Sequence, residues 1–166
     1  MALLRAILAG RRPAVRLPVT GARPLAVFHV ETGGCEGCAM EVAALDGAAY
    51  GLPATGIAFV ATPRLAEVLL VTGPLTRAMA PVLEAAWHAM PEPRALVAVG
   101  ACAIDGGPFP ENYAVLGGLE GRATLDMTVP GCPPSPAAIL AGLARVLERD
   151  VAGQAGVAES GLSSSV

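Results

Sequence analysis

Four cysteines, Cys35, Cys38, Cys102 and Cys132, are the residues of this 166-residue chain whose type and setting point most directly to chemistry. Each is embedded in glycine or proline: Gly33-Gly34-Cys35-Glu36-Gly37-Cys38, Gly100-Ala101-Cys102 and Pro130-Gly131-Cys132-Pro133-Pro134. Small residues let the backbone approach a bulky inorganic group, and free amides beside it donate hydrogen bonds to sulfur. Buried, inert cysteines would need no such setting. Structural zinc sites made of four cysteines are usually built from two close pairs, whereas here one pair is followed by two lone cysteines. A thioredoxin-like redox pair would explain Cys35 and Cys38 and leave Cys102 and Cys132 idle. Four thiols in a chain that shows no secretory signal read as a metal site before they read as disulfides. The residues alone therefore favour a cubane 4Fe-4S cluster, with zinc and with redox or structural thiols as the alternatives.

The four sulfurs have to meet for any of this to hold, and the segments before them suggest how. Short apolar strands are expected over residues 25–30, 57–61, 68–72, 96–99 and 125–129, separated by Gly or Pro turns and helical patterns over 37–50, 77–90 and 136–149. This alternation is the grammar of an α/β fold with a parallel sheet. All strands but the last are near-continuous apolar runs, as expected when helices cover both faces. The last alternates, with Leu125, Met127 and Val129 on one side and Asp126 and Thr128 on the other, which suits an edge. Ser135 is the expected N-cap of the third helix, with Pro136 at its first position. Every cysteine group follows a strand, and loops that follow parallel strands emerge at one edge of the sheet, where ligand sites lie.

Composition bounds the rest. Hydrophobic residues make up 54% and charged residues 15% of the chain, which excludes disorder and implies a surface covered by partners. No apolar run reaches the roughly 18 residues needed to cross a bilayer. Arg5, Arg11, Arg12, Arg16 and Arg23 precede every acid, while the body from residue 31 onward is acidic. An acidic body poor in aromatics is a poor nucleic-acid partner. The expected organisation is a basic N-terminal arm over 1–24, one α/β cluster-binding domain over 25–150 and a disordered tail over 151–166. Within the arm, residues 2–9 read as a short amphipathic helix followed by a Pro-bounded extended stretch, lying on a neighbouring subunit or at a membrane surface, and the equal alternative is a frayed, solvated terminus. An export signal is disfavoured because the apolar segment precedes Arg11 and Arg12.

The stretches GGCEGCAMEV, VTGPLTRAMAP, MPEPRALVAVGACAIDGGPF, YAVLGGLE and TLDMTVPGCPPSPAAILAGL resemble the small cluster-bearing subunit shared by respiratory complex I and the membrane-bound, energy-converting NiFe hydrogenases. The resemblance runs from about residue 27 to residue 147. It implies a flavodoxin-like doubly wound fold, with Cys35, Cys38, Cys102 and Cys132 holding one 4Fe-4S cluster. Complex I subunits resemble this chain but have two adjacent cysteines in the first motif, and the spacing Cys35-Glu36-Gly37-Cys38 is that of the hydrogenase branch. The function so implied is electron transfer in a membrane-associated, formate hydrogenlyase-like complex. Its partners would be a large NiFe subunit, ferredoxin-like iron-sulfur subunits and integral membrane subunits, with this chain peripheral on the cytoplasmic side of the inner membrane. The alternatives are the quinone-side subunit of a complex I-like dehydrogenase and, from a different class, a zinc-stabilised binding module.

Glu41, three residues after Cys38, matches a glutamate of the family motif and is the candidate catalytic residue, relaying protons or coupling them to reduction. The competing reading is an ordinary first-turn acid favoured by the helix dipole. Asp126 also matches the family pattern, as a structural partner for an arginine or a second proton group. His29 is expected to be a packed histidine, His88 an exposed helix residue, Trp87 a core or interface residue, and Arg77 and Arg94 capping or solvated arginines.

Overall fold

The structure, a computed structural model, describes residues 24–160. The expectations for the arm before residue 24 lie outside the described residues. Five strands form one parallel sheet: β1 (Leu25–Glu31), β2 (Ile57–Phe59), β3 (Val68–Thr72), β5 (Ala95–Val99) and β7 (Met127–Val129), in the order β2-β1-β3-β5-β7. Counting these strands alone, the order is 2-1-3-4-5, that of flavodoxin-like doubly wound sheets. β3 and β5 are buried at all five positions each, so their uninterrupted apolar sequences are what a strand covered on both faces requires. β7, with its alternating sequence, is an edge strand.

Helices cover both faces. On one, Leu25, Val27, Leu70 and Val97 pack under α1 (Gly37–Ala43) and α4 (Pro136–Ser160), whose Ile139, Leu140 and Leu143 are fully buried. Each such side chain contributes roughly 1.5–3 kcal/mol of burial. On the other face, Leu69, Val71 and Leu96 meet Leu83 and Ala86 of α2 (Ala80–Ala89). Ser135 starts α4 as expected, its Oγ accepting from the Ala138 N–H at 3.3 Å. Among the described residues no helix is long and apolar enough to cross a membrane.

Four differences from the sequence reading have local causes. α1 stops at Ala43, and after a 3₁₀ turn (Ala44–Asp46) Gly47 is extended at ψ 150°, so the helix cannot reach residue 50. α2 begins at Ala80, because Thr76 first makes a turn in which the Met79 N–H is bonded to its carbonyl oxygen at 3.2 Å. A two-stranded antiparallel pair, β4 (Leu75–Thr76) with β6 (Val115–Gly117), and a single-turn helix α3 (Ala101–Ile104) are too short to leave a periodicity. Finally, α4 continues through Ser160, so residues 151–160, expected in a disordered tail, are helical. Ala152, Gln154, Ala155 and Ala158 are good helix formers, and extending a formed helix needs no new nucleus.

Candidate metal centre

The site lies at the carboxyl ends of β1 and β3, where the strand order reverses and a doubly wound sheet opens a crevice. Thr32, fully buried, follows β1 and fastens it there. Its hydroxyl lies 3.0 Å from the carbonyl oxygens of both Thr72 and Gly73, and its own carbonyl accepts from the Thr76 hydroxyl at 2.8 Å. The two loops then touch backbone to backbone. A Cβ on Gly73, at φ 79°, would sit 1.5 Å from the Gly33 oxygen, so no other residue fits.

From this anchor the chain turns through Gly33 and Gly34 into Cys35. Glu36, at φ 64°, is the one non-glycine residue with positive φ among the described residues, a conformation that costs on the order of 1 kcal/mol and reverses the chain between the two cysteines. The Glu36 carbonyl then accepts from the Met40 N–H at 2.9 Å, which places Cys38 in the first turn of α1.

Cys102 comes from α3, directly after β5, and Cys132 from the loop after β7. Gly100 N–H donates to the Val129 carbonyl and Ala101 N–H to the Gly131 carbonyl, both at 2.8 Å, so these two loops form one ledge. A Cβ on Gly100 would lie 2.5 Å from Cys38 Sγ, one on Gly107 would lie 3.2 Å from Cys102 Sγ, and one on Gly37 would lie 3.6 Å from Cys35 Sγ. Of the glycines singled out in the sequence, Gly37 and Gly100 thus stand against sulfurs, and Gly107, which was not, does so as well. Cys35 and Cys132 are exposed, Cys38 is half-buried and Cys102 is buried.

Electrostatics couples these thiols to one another. Burial, and then the nearby Cys102, Cys132 and Cys35, push the Cys38 thiol up to about 11, with Glu41 adding to the effect. Burial, and then Cys132 and Cys35, push Cys102 up as well, against an opposing backbone hydrogen bond. Cys38 thus feels the other three sulfurs and Cys102 feels Cys132 and Cys35, so negative charge gathered on these thiols calls for a cationic centre among them. Among the described residues no group of three or more His, Cys, Asp and Glu side chains is gathered so as to hold a metal ion. An all-thiol donor set from three loops, walled by glycine, fits the ligation of an iron–sulfur cluster.

The other singled-out residues fall into place around this. Glu41 is half-buried on α1 and lies within electrostatic reach of Cys38. Asp126 accepts the Leu96 N–H at 2.8 Å and joins the start of β7 to β5, a structural role. His29 is packed, its Nε2 2.8 Å from Thr72 Oγ1, and burial lowers its pKa. Arg94 donates to the Trp87 carbonyl at 2.7 Å, stacks over the Trp87 ring at 4.4 Å and so caps α2. Arg77 and His88 are exposed. Sequence reasoning passed over Thr32, Thr72 and Gly73, which fasten the crevice. The signal was a polar Thr-Gly step at the end of each of two apolar strands.

The sequence model of the NADH ubiquinone oxidoreductase, 20 Kd subunit, family matches residues 35–146, which include all four cysteines. This chain belongs to that family. The family is one of oxidoreductase subunits of the complex I and hydrogenase type. Formate hydrogenlyase subunit 7 of Escherichia coli K12 is 41% identical over 121 residues, 73% of this chain and 48% of that protein, so the chain spans about half of that relative's length. An uncharacterized protein of Methanocaldococcus jannaschii is 42% identical over 130 residues, 78% of this chain and 87% of its own. Among solved structures, a chain of the membrane-bound sulfane sulfur reductase, an archaeal respiratory membrane complex, superposes with a TM-score of 0.65 at 28% identity, covering 76% of this chain and 70% of that one. A [NiFeSe]-hydrogenase chain from Dm. baculatum, 20% identical, shares the fold with a TM-score of 0.60, over 78% of this chain and 64% of its own.

Proposed function

We propose that this family member is the electron-transfer small subunit of a membrane-associated, energy-converting NiFe hydrogenase of the formate hydrogenlyase kind. In this reading it holds one 4Fe-4S cluster on Cys35, Cys38, Cys102 and Cys132, beside a large catalytic subunit. The observation that supports it most is that Cys35, Cys102 and Cys132, from the loops after β1, β5 and β7 of one parallel sheet, all lie within electrostatic reach of Cys38. The Cys-x-x-Cys spacing and the 41% identity to formate hydrogenlyase subunit 7 support the hydrogenase branch over the quinone-side one. Ferredoxin-like subunits would deliver electrons, membrane subunits would lie below, and the chain would sit peripherally on the cytoplasmic side of the inner membrane.

The cluster, when bound, supplies one-electron storage. The chain's own residues do the rest. Cys102 is buried, and its neighbour Ala103 packs in the core on the face that carries α2, so water is kept from that side of the added charge. Cys35 and Cys132 lie on the exposed side, where a partner's redox centre can approach. Thr32 and Gly73 hold the first loop rigid between these sides, so little reorganisation accompanies a change of charge. Glu41, within electrostatic reach of Cys38, would in this reading exchange a proton that compensates that charge.

The test is metal and acid-labile sulfide analysis of the complex purified under anaerobic conditions. The wild-type complex is expected to hold up to four iron and four sulfide more per copy of this chain than the Cys102→Ser complex, in which serine is a harder ligand, the partner subunits contributing equally to both. Stoichiometric zinc with no such difference in iron and sulfide refutes the cluster. Hydrogen evolution by the same complex identifies the hydrogenase branch, and quinone reduction without hydrogen evolution identifies the other.

A further inference from the structure

His29 is a half-buried titratable group that the reading above leaves unused, and it stands between two openings. Along β1 the face that carries α1 reads Leu25, Val27, His29, Glu31, apolar until the cysteine crevice begins. That crevice is one opening, and Glu31, Thr72, Gly73 and three of the cysteines line it. The other is a groove beside the upper half of β1, open to solvent, with His29 and Glu31 in its lining. The imidazole faces both. Its Nε2 lies 2.8 Å from the hydroxyl of Thr72, whose carbonyl oxygen accepts the Thr32 N–H at 2.9 Å and the Thr32 hydroxyl at 3.0 Å, so Thr72 is held fast and its own hydroxyl is left to His29. The Nδ1 has no hydrogen bond among the described residues and yet is not shut away from water, since Arg94 Nε is the one fully buried side-chain nitrogen or oxygen among them without a partner.

We infer that His29, acting through the Thr72 hydroxyl, is a redox-linked proton site, which takes up a proton from the groove when an electron enters the cysteine site and releases it when the electron leaves. The inference rests on the cluster reading above. The electron comes from the iron–sulfur donors of that reading and the proton from solvent, so an electron matched by a proton leaves the net charge of the site unchanged. Charge is the argument for this residue. Among the residues that line the two openings, Glu31, Glu36, Cys35, Cys38 and Cys102 can only become anions, and His29 is the one that can become a cation. From the elements around it, α1 adds Glu41, β3 adds no charge, and α2 brings none to the groove. Arg64 is exposed on the turn after β2, and Glu67 accepts the Ala26 N–H at 3.2 Å at the foot of β1. Burial keeps the ring neutral and so able to accept a proton when negative charge is added nearby. The Thr72 hydroxyl carries the effect inward. A neutral Nε2 can accept from it, whereas in the protonated ring both nitrogens donate, and the hydroxyl then turns its hydrogen away from the ring toward the crevice that Thr72 lines. One proton thus directs both a positive charge and a hydrogen-bond donor toward the sulfurs, and both favour the reduced state.

The test uses the complex purified under anaerobic conditions, with isotope-labelled histidine. Infrared difference spectra between its oxidised and reduced forms are expected to show protonated imidazole gained on reduction, in bands that shift with the label, persist in His88→Gln and are missing from His29→Gln. The midpoint potential is then followed against pH through the spectroscopic signal that Cys102→Ser removes. In the wild type it should fall by up to about 59 mV for each tenfold drop in proton concentration, the limit for one proton per electron. The slope should be smaller in His29→Gln and in Thr72→Val, and Thr72→Ser, which keeps the hydroxyl, should retain it. A histidine that only packs against Thr72 would leave the slope unmoved. A slope and imidazole bands that His29→Gln leaves at wild-type values overturn the inference while the cluster reading stands, and a slope lost in Glu41→Gln but kept in His29→Gln overturns it in favour of Glu41. Equal slopes in Thr72→Ser and Thr72→Val overturn the part assigned to the hydroxyl. A complex with no signal for Cys102→Ser to remove overturns the cluster reading itself and this inference with it.

Discussion

Gly100→Ala tests whether the glycines beside the cysteines are there for space and backbone conformation. Gly100 has φ 88° and ψ 154°, a region open essentially to glycine alone, and holding alanine there costs about 1–3 kcal/mol. The added Cβ would also stand 2.5 Å from Cys38 Sγ, about 1 Å inside ordinary contact, and overpacking of this kind typically costs a further 1–3 kcal/mol or so. The backbone cannot retreat, because the Gly100 and Ala101 N–H groups are bonded to the Val129 and Gly131 carbonyls. A loss of about 2–6 kcal/mol is therefore expected, a large share of a typical domain's stability of about 5–15 kcal/mol. Gly37→Ala is the matched control. Its Cβ would meet Cys35 Sγ at an ordinary 3.6 Å and its φ is not positive, so the change should be neutral or mildly stabilising at the start of α1. The assay is the thermal midpoint together with iron and sulfide per chain after anaerobic purification. Wild-type values for Gly100→Ala would refute the account of how Cys38 and the Gly100 loop are packed.

Two further outcomes are expected. Glu41→Gln should lower turnover of the intact complex with cluster content unchanged, and Glu41→Asp should retain part of it. If Glu41 only supports the helix start, both should keep wild-type turnover and lose at most about 1 kcal/mol of stability. Burial lowers the pKa of His29 below 6.5, so on acidification the unfolded chain takes up this proton first. Stability should then be full above about pH 6.5 and fall as the pH drops toward the lowered folded value, and denaturation curves of His29→Gln should lack that decline. Parallel pH profiles for the two proteins would count against a buried neutral His29.

How far the sequence reaches is clearest at individual residues. Uninterrupted apolar runs at 68–72 and 96–99 mark the two-sided burial of β3 and β5, because a strand covered by helices has no polar face to show. Alternation at 125–129 marks β7 as an edge for the converse reason. The placement of each cysteine after such a strand is enough to bring all four to one edge, since parallel strands release their loops in one direction. These are properties of contiguous segments, and a chain carries them in plain view.

The tertiary structure decides what depends on pairs far apart in sequence. That Gly73 must be glycine follows from the carbonyl of Gly33, forty residues earlier on a neighbouring loop. That Thr32 is buried follows from the Thr72 and Gly73 carbonyls it satisfies. The β4–β6 pair exists because each partner supplies the hydrogen bonds the other lacks, and two or three residues have no pattern of their own. Which cysteine is buried and which exposed, Cys102 against Cys35 and Cys132, is set by how the β5 and β7 loops stack on each other. Residue types and local periodicity choose the elements, whereas burial, close approach and charge coupling belong to contacts that do not exist until the chain has folded.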